Sequence, residues 1–173
     1  MKICILGYSG CGKSTLARTL GEIYAEPVLH LDALRFLPDW VERDMDEMQK
    51  SVLQFLDEND GWVIDGSYKK CALQRRLEES DEIILMKFNR VDCFFRICKR
   101  YKKYKGTTRP DMGEGCNEKL DWEFVKWILW DGRTKPRRNA FKKIQASYPE
   151  KTTVIKNQRQ LTSYVERKIA KNK

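Results

Sequence analysis

The sequence predicts an α/β fold, a five-stranded parallel sheet covered by helices. Two observations predict it. Strand-like and helix-like patterns alternate along the 173 residues. The run GYSGCGKS, Gly7 to Ser14, directly follows the apolar stretch Ile3–Cys4–Ile5–Leu6. It matches G-x-x-x-x-G-K-[ST], the phosphate-binding P-loop or Walker A motif, which joins a strand to a helix in P-loop NTPases.

Each element has a local reason. Lys2–Leu6 is an apolar first strand. Lys13–Ala25 is a helix with Leu16, Leu20 and Ile23/Tyr24 on one face. Pro27–Leu31 is a short second strand followed by Asp32. Asp44–Asn59 is helical through Met45, Met48, Val52 and Phe55/Leu56. Trp62–Ile64 is a third strand between Asp60–Gly61 and Asp65–Gly66. Tyr68–Leu77 is expected to be a short helix and Glu82–Phe88 a fourth strand. Val91–Tyr104 is a basic helix with Phe94, Phe95, Cys98 and Tyr101 as its stripe. Gly106–Glu118 carries Gly, Pro, Asp and Asn without periodicity and is a loop. Asp121–Trp130 is an aromatic helix, and Pro136–Ser147 starts with a proline suited to a first turn. Thr152–Lys156 is the fifth strand and Gln160–Ala170 the closing helix. There is no internal repeat or low-complexity linker, so residues 1–173 read as one domain. The core comprises 1–31, 60–88 and 150–173. The long basic insertion at about 89–138 is the natural lid.

The glycine-rich loop has a definite chemistry. Glycines let the backbone turn tightly and aim successive N–H groups at phosphate oxygens. The following helix adds the positive end of its dipole. Gly7, Ser9, Gly10, Cys11, Gly12, Lys13, Ser14 and Thr15 are therefore the candidate nucleotide-binding residues, for a nucleoside triphosphate with Mg²⁺. Lys13 reaches the outer phosphates, and the Ser14 hydroxyl ligates Mg²⁺.

Composition narrows the class. The chain carries 34 Lys plus Arg against 25 Asp plus Glu, a net charge of +9. The charge is local. Seven basic residues and no acidic one lie between Arg96 and Arg109, and a second cluster holds Arg133, Lys135, Arg137, Arg138, Lys142 and Lys143. Phosphoryl-transfer enzymes need such cations, and so do proteins that bind nucleic acid. The six cysteines show neither C-x-x-C nor zinc spacing, which suits a reducing compartment. Met1–Lys2 leads straight into a strand, and no stretch has the length of a membrane span. A cytoplasmic location without membrane association is the expectation.

Other positions carry chemistry. Asp65 ends the third strand, where an acid holds or orients Mg²⁺; a D-G turn is the plainer reading. Asp32 ends the second strand on the same rim and can act as base, metal ligand or anchor toward an acceptor hydroxyl. The only histidine, His30, reads as a packed, hydrogen-bonded residue rather than a catalytic one. Arg96 and Arg100, four apart, share a helix face and suit two contacts to one phosphate chain. Arg109 is a similar candidate on the loop. Trp122, Phe124, Trp127 and Trp130 are expected to form the lid core.

These residues carry a resemblance. The segments GYSGCGKSTLAR, HLDAL, WVIDGSY and RYKKYKGTTRPDMGEGCNEKLDWEF make the chain resemble adenylate-kinase-like P-loop kinases, and within them the topology modulation protein family. The resemblance implies an acceptor-binding insertion at about 32–59, a lid over 89–138, and Asn157–Gln158–Arg159 beside the nucleobase. It implies ATP and Mg²⁺ as cofactors and phosphoryl transfer from ATP to a small-molecule acceptor it does not identify, a nucleoside or nucleotide being among the candidates. Adenylate kinases carry D-G-F-P-R after the third strand, whereas this chain has DGSYKK. The arginine that grips an acceptor monophosphate is absent there, and Arg35 and Arg43 are the available substitutes. The rival reading is a nucleic-acid-associated regulator of DNA topology using ATP as a switch. The family name and the net charge favour it, but the sequence holds no helix-turn-helix, zinc-finger or RNA-recognition signature.

Overall fold

Strand β1 (Lys2–Gly7) lies at the centre of a five-stranded sheet, between β5 (Trp62–Asp65) and β6 (Glu82–Met86). Strand β2 (Val28–His30) flanks β5, and β7 (Thr152–Ile155) flanks β6; every pair is parallel. The structure is a computed structural model and describes residues 1–172.

The continuous apolar run of β1 is explained by burial on both faces. Ile3 and Ile5 point into one core with Val63, Ile84 and Met86. That face is covered by α1 (Lys13–Tyr24), α5 (Arg90–Tyr104) and α8 (Gln158–Lys171). Cys4 and Leu6 point the other way, with Ile64, Ile83 and Leu85, beneath α3 (Met45–Glu58) and α4 (Leu73–Glu79). Phe141 of α7 (Lys135–Ser147) closes this second core.

Helix starts follow side-chain chemistry. Asp44, Asn89, Asp121 and Asn157 each accept hydrogen bonds from the first turn of α3, α5, α6 (Trp122–Leu129) and α8. Helix α1 has no such cap: Gly12 stands at its N-cap position and offers no side chain. Its first N–H groups are left to face the loop.

Three expectations are corrected. Strand β2 stops at His30 and Leu31 opens a short helix, α2 (Leu31–Arg35), so Asp32 lies in a helical turn rather than at a strand end. The helix expected from Tyr68 begins only at Leu73, because Ala72 takes a left-handed φ of 50° and the buried Arg76 gathers the preceding loop. Arg76 donates to the carbonyls of Gly66 at 3.1 Å, Tyr68 at 3.0 Å and Cys71 at 2.9 Å. The tryptophans do not form a lid core: Trp122 is 71% and Trp130 52% exposed, and only Phe124 and Ile128 of α6 pack inward.

Arg76→Met is therefore expected to destabilise the fold by about 3 kcal/mol, since buried carbonyls lose charged donors. Arg75→Ala, removing a surface pair with Glu79 and Asp57, is expected to leave the midpoint almost unchanged, because exposed ion pairs are screened by water and salt. Urea midpoints check this, and equal shifts for the two variants would contradict it.

Candidate active site

The phosphate loop is shaped by close approach. Gly12 has φ +93°, and a Cβ there would sit 2.4 Å from Nη2 of Arg96. At Gly10, φ is +79° and a Cβ would come within 2.8 Å of the Cys93 carbonyl. Helix α5 thus packs directly on the loop, which only glycine permits at both positions. The Lys13 ammonium donates to the Tyr8 carbonyl at 3.1 Å. Desolvation would lower its pKa, but neighbouring groups, among them the Asp32 and Asp65 carboxylates, outweigh this and hold it above the ordinary value. Cys11 is fully buried, its thiol donating to the Tyr8 carbonyl at 2.8 Å, and burial pushes its pKa up. It is a packing thiol inside the loop.

Beside Lys13 the strand ends converge. The Ser14 hydroxyl donates to Oδ2 of Asp65 at 2.9 Å, and Nδ1 of His30 lies 2.5 Å from the other carboxylate oxygen. Asp65 is only 3% exposed. It sits opposite His30 in the β2–β5 register and opposite Ile5 in the β1–β5 register, which places all three chain segments at one rim. Among the described residues no group of three or more His, Cys, Asp and Glu could hold a metal by itself. Ser14 and Asp65 are oxygen donors of the kind a hard cation takes, the rest coming from phosphate and water.

Asp32 accepts a hydrogen bond from the Tyr68 hydroxyl at 2.8 Å. Burial and then the Asp32 carboxylate raise the Tyr68 pKa, so the phenol stays a donor. Tyr68 has no motif of its own in the sequence. Its position three residues after Asp65 was the available signal, and only the loop held by Arg76 turns it toward Asp32.

The arginines divide. Arg96 lies against Gly12, above the Phe88 ring at 4.9 Å, and donates to Gln158 at 2.6 Å. It belongs to the loop. Arg100 and Arg109 turn instead toward Glu118, whose side chain is 1% exposed. Arg100 contacts Glu118 at 2.6 Å, and Arg109 lies 3.7 Å from Glu118 and 3.5 Å from Asp111. Burial and then the Arg109 charge lower the Arg100 pKa. The second basic cluster divides too. Arg133 is buried, donating to the carbonyls of Phe88 at 2.9 Å and Ile128 at 3.0 Å, with its guanidinium 4.2 Å from the Tyr8 ring centre.

Other loop residues are placed as follows. The Gly7 N–H donates to the Ser67 hydroxyl at 3.3 Å, Ser9 accepts from the Trp127 indole at 3.1 Å, and Thr15 is exposed. Arg159 lines a groove of about 490 Å³ with Phe88, Phe95, Arg96, Asn157 and Gln158.

The insertion also grips the segment after β2. There a hairpin, β3 (Phe36–Leu37) with β4 (Val41–Glu42), turns through Asp39 and Trp40, both with positive φ. Asp39 N–H donates to the Gly115 carbonyl at 3.2 Å and the Trp40 indole to the Asn117 carbonyl at 2.9 Å. The Cys116 thiol reaches the Leu37 carbonyl at 3.1 Å.

The phosphate loop, its strand order and the helical insertion define an adenylate-kinase-like α/β fold, the fold of P-loop kinases. A gluconokinase from Sinorhizobium meliloti 1021 is similar over 99% of this chain and 90% of its own, at TM-score 0.55 and 16% identity. A deoxyadenosine kinase from M. mycoides with bound dATP is similar over 98% of this chain and 99% of its own, at TM-score 0.54 and 14% identity. No family model and no curated protein matches the chain. No helix among the described residues is long and apolar enough to cross a membrane.

Proposed function

We propose that the protein is an ATP-dependent kinase of a small-molecule acceptor. The observation that carries the reading is the meeting of Lys13, Ser14 and Asp65 at the mouth of an uncapped helix. The loop N–H groups and Lys13 hold the triphosphate, and Arg96 closes over it. Ser14 and Asp65 would hold Mg²⁺, which would supply neutralising charge to the triphosphate. Asp32 orients the acceptor hydroxyl and takes its proton as oxygen attacks the γ-phosphorus and ADP leaves. The groove beside Arg159 and Gln158 receives the nucleobase. Residues 89–138 act as the lid and exclude water. Arg100 and Arg109 act through Glu118, setting the lid's shape.

The test is ADP formation from Mg²⁺-ATP against nucleosides, nucleotides and polyols. Acceptor-dependent ADP release supports the reading; sequence-selective DNA binding at physiological salt with no ADP release in any arm would favour the nucleic-acid regulator. Asp65→Asn is expected to raise the Mg²⁺ needed for half activity about tenfold, since a hard cation loses its anionic ligand. An unchanged Mg²⁺ titration would reduce Asp65 to a holder of Ser14 and His30.

A further inference from the structure

The acceptor side of the cleft shows which chemical class it takes, given that the protein is the kinase proposed above. Two contacts bridge the same two loops. His30 meets Asp65 and, two and three residues further on, Asp32 meets Tyr68. The loops touch closely: a Cβ on Gly66 would lie 2.6 Å from the Leu31 Cβ. What this wall offers an acceptor is a carboxylate with a phenol hydroxyl locked against it. The arginines that could receive a phosphate are engaged elsewhere. Arg35 donates to the Arg43 carbonyl and to Glu42. Arg43 is pinned through Nε to the Leu34 carbonyl at 2.9 Å. Arg76 is fully buried on the loop carbonyls, and Arg109 lies between Asp111 and Glu118.

We propose that the acceptor is an uncharged compound bearing an alcohol hydroxyl, and that the Asp32–Tyr68 pair selects it against its own monophosphate. The acceptor hydroxyl donates to the Asp32 carboxylate, whose Oδ1 already accepts from Tyr68 and whose Oδ2 has no protein donor among the described residues. The acceptor O–P bond forms and the bridging Pγ–O bond of ATP breaks, its electrons leaving on ADP. The hydroxyl proton passes to Asp32. A phosphate on the acceptor would face the Asp32 carboxylate, with Arg35 and Arg76 held by their own partners, Arg109 buried between two carboxylates and Arg43 tied through Nε.

The experiment measures kcat/KM with Mg²⁺-ATP for nucleosides, for sugars and polyols, and for the monophosphate of each. One neutral arm is expected to exceed its monophosphate by at least a hundredfold, and which arm responds distinguishes nucleoside from polyol. Asp32→Asn is expected to lower turnover of the neutral acceptor and narrow that ratio about tenfold, with ATP affinity unchanged. A monophosphate used as well as its neutral parent overturns the proposal, as does ATP binding with no transfer to any neutral compound. In both cases Lys13-dependent ADP formation with another acceptor leaves the kinase standing. Loss of ATP binding and of ADP formation in every arm removes the kinase itself.

Discussion

Lys13→Ala is expected to lower turnover about a thousandfold while the protein unfolds at the wild-type temperature. The ammonium's hydrogen bond is to the Tyr8 carbonyl, at 3.1 Å, and the side chain belongs to neither hydrophobic core, so its removal opens no core. A single cation placed where charge develops on the transferring group supplies roughly 3–4 kcal/mol to the transition state. The Asp32 and Asp65 carboxylates hold the ammonium above its ordinary pKa against the opposing pull of desolvation. A raised pKa keeps the charge below the ordinary lysine range and loses it only as pH climbs through the raised value. Alkaline loss of activity at mildly basic pH therefore belongs to another group, and Lys13→Ala should leave that limb where it is. Single-turnover kinetics with a thermal melt check this. Turnover within tenfold of wild type would sink the phosphate-loop mechanism.

What was legible beforehand had a strong local signal. The apolar run of β1 and the spacing of glycine, lysine and serine after it mark a strand, a loop and a helix start that tertiary contacts only reinforce. The two-residue strands β3 and β4 were illegible because two residues carry no periodicity. The start of α4 was misplaced because Arg76 gathers carbonyls from up to ten residues upstream, an arrangement no helical pattern encodes. Arg96 and Arg100 do share a helix, as their spacing required. Their separate fates depend on Glu118, eighteen residues past Arg100, and on the glycine at position 12. Arg133 looked like one more surface cation and is a buried donor to backbone carbonyls. Charge in a sequence gives attraction to anions; which cations stay free for a ligand is settled by partners distant in the chain.

That division gives the second large effect, with two variants expected to fail in different ways. Arg96→Ala should lower turnover about a hundredfold with a smaller change in ATP affinity and no change in stability. Its guanidinium lies on Gly12 and is half-engaged with the Gln158 side chain, which water can replace. Interactions strongest in the transition state have that kinetic signature. Arg100→Ala should instead destabilise the insertion by about 3 kcal/mol, because it strands the Glu118 carboxylate, whose other partner Arg109 is 3.7 Å away. The loop over residues 106–118 should then be cut faster by protease, and the hairpin held by Gly115 and Asn117 should loosen with it. Adding Glu118→Gln to Arg100→Ala should restore much of the stability, since the uncompensated charge is gone. Turnover, ATP affinity, melting and proteolysis on the three proteins separate the two roles. Equal kinetic losses at unchanged stability would place Arg100 on the phosphates beside Arg96. Unchanged turnover in Arg96→Ala, with loss only of salt-dependent DNA affinity, would turn the basic helix into a nucleic-acid surface.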